Sequence, residues 1–384
     1  MGAKGSDTAV SWLASQHNAM LALLEEVVNV DSGSYDKAGV DAVGERFRRF
    51  FSEHGIETAV IRNEGFGDAI KAQVPGSGGA NRPIVLMGHR DTVFPKGEAG
   101  RRPFRIVDGR AYGPGVADMK AGLVMNAFVL AAYAKFGAPA PLVGLITSDE
   151  EIGSPSCRPI IEDTAREARA VLNSEPGRPS GNIVTGRKGG VFMRLEVFGK
   201  AAHSGGNFEQ GVSAIGELAH KIVALHAVTD IARGTTVNVG LIGGGQSVNT
   251  VAPLAECQID LRYVTPPDRA DAMARIEAIV SGATVPGTTA RLEIKGEFKP
   301  LVQDEPSKAL FDTYRAAMRQ VGREVDGEFT GGCADSGFTA SVGCPTLCAV
   351  GPVGGKAHSP EEYLEVESLV PRAQAMALTI ARLA

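Results

Sequence analysis

The sequence lacks a disulfide framework. Its five cysteines are odd in number and form no CxxC pair, so a reducing cytoplasm is the default setting and thiolate metal sites are excluded. It lacks a basic excess: the formal charge is -5, which argues against nucleic acid as a partner. The opening MGAKGSDTAVSWLASQ contains no apolar run long enough for a signal peptide or membrane span. GxSxG and P-loop motifs are missing, as are internal repeats and low-complexity tracts. Cys157 and Cys333 have no His–Asp partnership arranged for nucleophilic attack, so a thiol mechanism is set aside.

What is present is a globular composition, 43% hydrophobic and 22% charged over 384 residues, enough for one large or two ordinary domains. The early chain alternates helix and strand. Apolar residues at helical spacing predict a helix over about Thr8–Val30 and another over Ala38–His54. Pro83–Met87 and Leu142–Thr147 are continuous apolar runs of buried-strand length, separated by an apolar helix over Met119–Phe136. This predicts an α/β domain with a mixed, largely parallel sheet flanked by helices. The middle reads β-α-β-β-α-β, a ferredoxin-like order that suggests an inserted domain. The expected division is a discontinuous domain of residues 1–188 and 299–384, with residues 189–298 inserted. The last stretch returns to α/β, with a helix at Ser307–Val321, a strand at Thr346–Val350 and a closing helix at Val366–Leu383.

The chemistry-bearing residues fall just past strand ends, where α/β sheets collect their ligands. Gly88-His89-Arg90-Asp91 follows PIVLM, Asp149-Glu150-Glu151 follows LVGLIT, Glu175 follows the short strand at Val171–Leu172, and His358 comes shortly after TLCAV. Each motif has a plainer reading. Asp91 is spaced to give His89 a carboxylate partner, or caps its own turn. Glu150 and Glu151 can divide metal binding and proton transfer between them, or form a solvated acidic turn favoured by a helix dipole; alone, they favour the latter. Asp118, at the end of Gly113-Pro114-Gly115-Val116-Ala117, can bridge two cations or serve as an ordinary N-cap. Gly331–Gly337 can offer backbone N–H groups to an anion or pack beneath a site. Imidazole and carboxylate ligands without thiolate suit Zn²⁺, with Mn²⁺ or Co²⁺ as substitutes. Metal-bound water titrates near about 7, which a neighbouring carboxylate can exploit.

As an ordered set, Gly88–Thr92, Gly113–Lys120, Asp149–Glu151, Glu175–Gly177 and His358-Ser359 resemble the M20 metallopeptidases, and within them the glutamate carboxypeptidase G2-like subgroup. The resemblance covers nearly the whole chain. It implies two zinc ions bridged by Asp118, with His89 and Glu175 on one and Glu151 and His358 on the other. It implies Glu150 as general base and acid, with Asp91 orienting His89. It makes the insertion a lid that usually dimerises, so a homodimer is expected. Within the lid, Ala201–Gly205 matches an A-x-H-S/A-G element whose histidine, His203, would polarise the scissile carbonyl. Without the resemblance, His203 reads as a turn histidine. Asn249 and Arg262 match substrate-contacting lid residues, and Lys188 is a further candidate for a substrate carboxylate. One departure stands out. Where glutamate-specific members carry an arginine near the end of the lid, this sequence reads Lys295-Gly296-Glu297-Phe298-Lys299-Pro300, which argues against C-terminal glutamate as substrate. The expectation is hydrolysis of an amide in an N-acyl or N-aroyl amino acid or small peptide, beside a free carboxylate. The alternatives are metal-assisted attack on another C–N bond (amidine, ureido or activated aryl amine) and a non-catalytic binding protein.

Overall fold

The structure, a computed structural model, describes residues 2–77 and 82–384. The chain divides into two compact units, one of Met1–Gly186, Gln303–Thr330 and Ala334–Ala384, the other of Arg187–Val302 and Gly331–Cys333.

The first unit is built on an eight-stranded sheet. Its order is Glu57–Ile61, Ala69–Val74, Leu142–Thr147, Ile84–His89, Ala170–Asn173, Thr346–Cys348, Ile183–Arg187 and Gly327–Thr330. The four central strands, Leu142–Thr147 to Thr346–Cys348, run parallel. Their neighbours on both sides are antiparallel. Central strands covered on both faces have no polar side, which is why Ile84–His89 is buried at every position. The strand runs two residues beyond the PIVLM segment, so His89 is its last residue. In register, His89 pairs with Thr147, Met87 with Asn173 and Asn173 with Cys348. The carboxyl ends of these strands therefore lie side by side.

The Ala121–Phe136 helix is buried at every residue from Ala121 to Tyr133, which explains an apolar surface with no polar stripe. The Val116–Phe136 run is long and apolar enough to cross a membrane, but nearly all of it is packed inside this core. Tyr133 satisfies its buried hydroxyl by donating to the Ala377 carbonyl at 2.6 Å. The expected first helix is interrupted: Gly2–Ala14 and His17–Val28 are separate. The Ser15 hydroxyl donates to the Trp12 carbonyl, a local bond that competes with helix continuation. A small sheet in the order Gly354–Gly355, Tyr363–Glu365, Arg110–Tyr112, Arg105–Val107 has no counterpart in the sequence reading. Its strands of two or three residues are too short to show a period.

The second unit carries Gly189–Phe198, Ala214–His226, Thr236–Gly244, Leu254–Tyr263, Pro266–Ser281 and Thr289–Phe298 in the β-α-β-β-α-β order. Its antiparallel sheet runs Thr236–Gly244, Leu254–Tyr263, Gly189–Phe198, Thr289–Phe298, the ferredoxin-like arrangement. Leu254–Tyr263 alternates between buried and more exposed positions, burying Ile259 and Leu261 with Leu195, Leu218 and Ile276 in a separate core. Thr236–Gly244 is an edge strand. A register shift between Val239 and Leu241 is accompanied by outward-facing Leu241 and Ile242, 62% and 66% exposed.

Candidate metal centre

Six side chains of the first unit converge past the aligned strand ends. His89 is buried. Its Nδ1 lies 3.0 Å from the Asp91 carbonyl and 3.3 Å from Asp91 Oδ1. Its Nε2 faces the carboxylates: 3.3 Å to Asp118 Oδ1, 3.7 Å to Glu175 Oε1 and 3.8 Å to Glu150 Oε2. The other Asp118 oxygen, Oδ2, lies 3.4 Å from His358 Nε2, which is 3.1 Å from Glu151 Oε2. Asp118 thus offers one oxygen to each imidazole.

The local backbone explains these directions. Asp118 is not an N-cap. It sits in an irregular turn, Val116–Lys120, ahead of the Ala121–Phe136 helix, with extended-type angles (φ -109°, ψ 93°). Gly115 precedes the turn at φ +72°, where a Cβ would also meet the Thr92 methyl at 2.5 Å, so glycine is required there. Glu150 and Glu151 share one short helical turn, Glu150–Ile152, which lets adjacent carboxylates point apart. The Asp91 carboxylate accepts from Ser34 Oγ at 2.7 Å and from the backbone N–H groups of Glu150 and Glu151 at 3.1 and 3.2 Å. It therefore faces His89 while holding the acidic turn, rather than capping its own.

Burial and like charge shape the titration of this cluster. Burial, with Glu175, Asp335 and Glu151 nearby, pushes the Glu150 carboxyl well above its ordinary range, against the opposing pull of His89. Burial likewise raises Glu151. Burial also works to raise Asp91, but its hydrogen bonds and charge pairing with His89 and the bonds from Ser34 and Glu151 hold it below its ordinary value. Asp118 beside His358, with Glu151 adding to it, raises His358 to about 10. Carboxylates of Asp118, Glu150, Glu151 and Glu175 gathered around the imidazoles of His89 and His358 suit a cation. The donor atoms of His89, Asp118 and Glu151 lie within 4.8 Å of one another, as do those of His89, Glu150 and Glu175. Imidazole nitrogens and carboxylate oxygens at this spacing fit divalent Zn²⁺ or Mn²⁺.

Two carboxylates escaped the sequence reading. Glu362, fully buried, accepts from the N–H groups of Gly115, Ala117 and Asp118 at 3.2, 2.8 and 2.9 Å. It stands four residues after His358, so a single loop supplies both a histidine and the anchor of the Asp118 turn. Asp335 accepts from Ser154 Oγ and, at 3.4 Å, from Thr147 Oγ1. It packs beneath the acidic turn. Burial raises both acids to about 7. A glutamate in a run such as Ser359-Pro360-Glu361-Glu362 carries no signal that separates an anchor from a surface charge. Burial also raises the Cys157 thiol, in keeping with an inert cysteine.

The remaining sequence candidates belong to the second unit. His203 is exposed, in the Ala202–His203 strand that pairs with Thr250–Val251. Its Nδ1 accepts from the Gly205 and Gly206 N–H groups, both at 3.1 Å. The neutral ring therefore carries its proton on Nε2. The Asn249 carbonyl accepts from Ser204 N at 3.0 Å. Arg262 is held by both oxygens of Asp260, at 2.8 and 3.1 Å, and by Cys333 Sγ at 2.8 Å. Lys188 lies beside Gly234, where an added Cβ would come within 3.7 Å of its Nζ. Glu297, at the departure noted in the sequence, is paired with Arg269 at 2.6 Å and Lys299 at 2.8 Å, so its charge is compensated locally.

Comparison with known proteins gives this geometry a lineage. Carboxypeptidase G2 from Pseudomonas sp. (strain RS-16) is 29% identical over 366 residues, covering 94% of this chain and 88% of that protein. Acetylornithine deacetylase from Erwinia tasmaniensis is 27% identical over 313 residues, covering 77% and 79%. The structure of an M20 family metallo-carboxypeptidase from Sulfolobus solfataricus shares the fold, with a TM-score of 0.77 at 18% identity over 95% of this chain and 99% of that one. The model of Peptidase family M20/M25/M40 matches residues 85–382, a span that takes in every residue of the cluster. The chain is therefore a member of peptidase family M20/M25/M40.

Proposed function

We propose that the protein hydrolyses the amide bond of an N-acyl or N-aroyl amino acid, or of a small peptide, beside a free carboxylate, using two divalent ions, Zn²⁺ first among them. The observation that carries this reading is the placing of the two Asp118 oxygens, 3.3 Å from His89 Nε2 and 3.4 Å from His358 Nε2. One carboxylate directed at two separate imidazoles suits a pair of cations that share it. His89 and Glu175 would hold one ion, Glu151 and His358 the other. When bound, the ions supply Lewis acidity and bring water within reach of a carboxylate base near neutral pH.

The side chains supply the rest. Glu150 takes a proton from the attacking water and delivers it to the leaving nitrogen. Asp91 fixes the ring of His89 through Nδ1. His203, with Nε2–H free of its two backbone donors, is assigned to polarising the scissile carbonyl. Asn249, Arg262 and Lys188 are assigned to the substrate, Arg262 after exchange of its Asp260 partner. The exposed apolar edge at Leu241 and Ile242 supports a homodimer through the second unit, because an uncovered apolar edge strand is a liability in a monomer. Five free cysteines, Cys157, Cys257, Cys344 and Cys348 among them buried, support a cytoplasmic setting.

Metal analysis together with a panel of N-acyl amino acids tests the reading. Metal-dependent release of free amino acid is expected. Activity confined to amidines or ureido compounds would instead select the second type of C–N chemistry.

A further inference from the structure

We infer that the cavity between the Gly33–Asp36 and Thr92–Lys96 segments receives the acyl side of the substrate and selects an aromatic or bulky apolar acyl group over acetyl. This rests on the proposed amide hydrolysis and names its substrate class. The cavity has a volume of about 570 Å³ and its wall includes Tyr35, Val93, Phe94 and Ile152. Tyr35 is 80% exposed and Val93 43% exposed. An isolated apolar residue in water is ordinary, but several around one concavity mark a binding surface.

The cavity leads to the reacting centre. Glu151 forms part of its wall and lies 3.1 Å from His358 Nε2. Ser34, also in its wall, donates to Asp91 at 2.7 Å. A group seated here would therefore adjoin the bond to be cleaved. The charge at the rim is already matched, since Lys96 pairs with Asp36 at 3.4 Å. Nothing in that arrangement favours a second carboxylate, so the amino-acid end of the substrate faces elsewhere.

The two segments are fixed to each other before any ligand arrives. Gly33 bridges to Thr92, and Thr92 N donates to Ser32 O at 2.9 Å. A Cβ on Gly33 would come within 2.6 Å of the Phe94 carbonyl, so the close approach needs glycine. A preformed wall loses little ordering entropy on binding. Apolar pockets discriminate by about 10- to 200-fold for even one methylene.

The test compares N-benzoyl and N-acetyl derivatives of one amino acid. Zinc-loaded protein should turn over the benzoyl compound at least about tenfold faster in kcat/KM. The zinc-loaded Glu150→Gln variant should show the same order in Kd by calorimetry. Tyr35→Ala, and separately Val93→Asp, should bring the benzoyl-to-acetyl ratio toward one in both measurements, with metal content retained. Equal handling of the two compounds by the unmodified protein, or a ratio untouched in both variants, overturns the inference while leaving amide hydrolysis standing. Turnover of neither compound, nor of any other acyl amino acid or peptide, contradicts the proposed function and this inference with it.

Discussion

The backbone N–H of Asp118 donates to the carboxylate of Glu362 at 2.9 Å, across 244 residues of sequence. The same carboxylate takes the N–H groups of Gly115 and Ala117, and its loop also carries His358. The two segments that carry the candidate ligands Asp118 and His358 are thereby joined by one buried side chain. In Glu362→Gln an amide NH₂ must replace one of the two accepting oxygens, setting donor against donor. Loss of a group that orients ligands typically costs about 10- to 100-fold in metal affinity. A zinc titration of Glu362→Gln is expected to show a loss of that size, with folding retained by circular dichroism. Unchanged affinity would reduce Glu362 to a structural filler.

Glu150 and Glu151 are neighbours with different surroundings, and they should respond differently to the same change. Glu150→Gln is expected to keep its metal and lose about 10²- to 10⁴-fold in kcat, the usual contribution of a general acid–base. Glu151→Gln should lose metal. Metal content and steady-state kinetics on both variants check this; equal behaviour would remove the division of labour.

Protons and metal compete for His358. Its pKa in the metal-free protein, raised to about 10 by Asp118 and Glu151, lies above the value of about 6.5 in an unfolded chain. The associated stability is full below the unfolded value and is lost as pH rises through about 10. A metal needs the neutral ring, so binding near pH 7 must expel a proton. The rise in Tm on adding zinc should therefore be larger at pH 8 than at pH 6. Calorimetry in two buffers of different ionisation enthalpy should show proton release. Zinc stabilisation that is flat over this range would contradict the ligand assignment.

The second unit has its own electrostatic anchor. Glu217, buried, pairs with buried Lys221 at 3.0 Å and accepts from Thr284 N and Val285 N at 2.8 and 2.6 Å. Burial opposes ionisation, but the Val285 N–H, Lys221 and the Thr284 N–H together hold the carboxyl below its ordinary value. Its contribution is thus present above the unfolded pKa and is lost as pH falls through the folded one. Glu217→Ala leaves the lysine uncompensated and should cost about 3–5 kcal/mol. Urea denaturation at pH 7 and pH 4 checks both size and sign: the gap between variant and parent should narrow at the lower pH.

The edge strand gives a test of assembly. Leu241→Lys combined with Ile242→Glu should convert a dimer to a monomer in sedimentation velocity while leaving the metal content of the first unit unchanged. A monomeric parent protein would remove the proposed interface.

How far the sequence anticipated the structure depends on the length of each element. The six long elements of the second unit and the strands Ile84–His89 and Leu142–Thr147 were legible because each holds a period or an apolar run long enough to detect, and Thr346–Cys348 because it sits within the longer apolar run TLCAV. The four two- and three-residue strands around Tyr112 and Tyr363 were not, since pairing there is decided by distant partners. The residues brought together at the candidate metal centre were readable because short motifs follow strand ends, where the fold gathers them. Glu362 and Asp335 were not. Their roles arise from burial and from backbone N–H groups that no local pattern exposes. The interruption at Ser15 was missed because the apolar spacing continues across it.

The proposed sharing of Asp118 between two ions is tested most directly by counting metal ions in three proteins. Mass-spectrometric metal analysis after zinc loading should give two ions per chain for the parent and about one for His358→Ala. Asp118→Ala should retain less than one, because both ions lose a ligand at once. Two ions retained in Asp118→Ala, or none bound by the parent, would contradict the account.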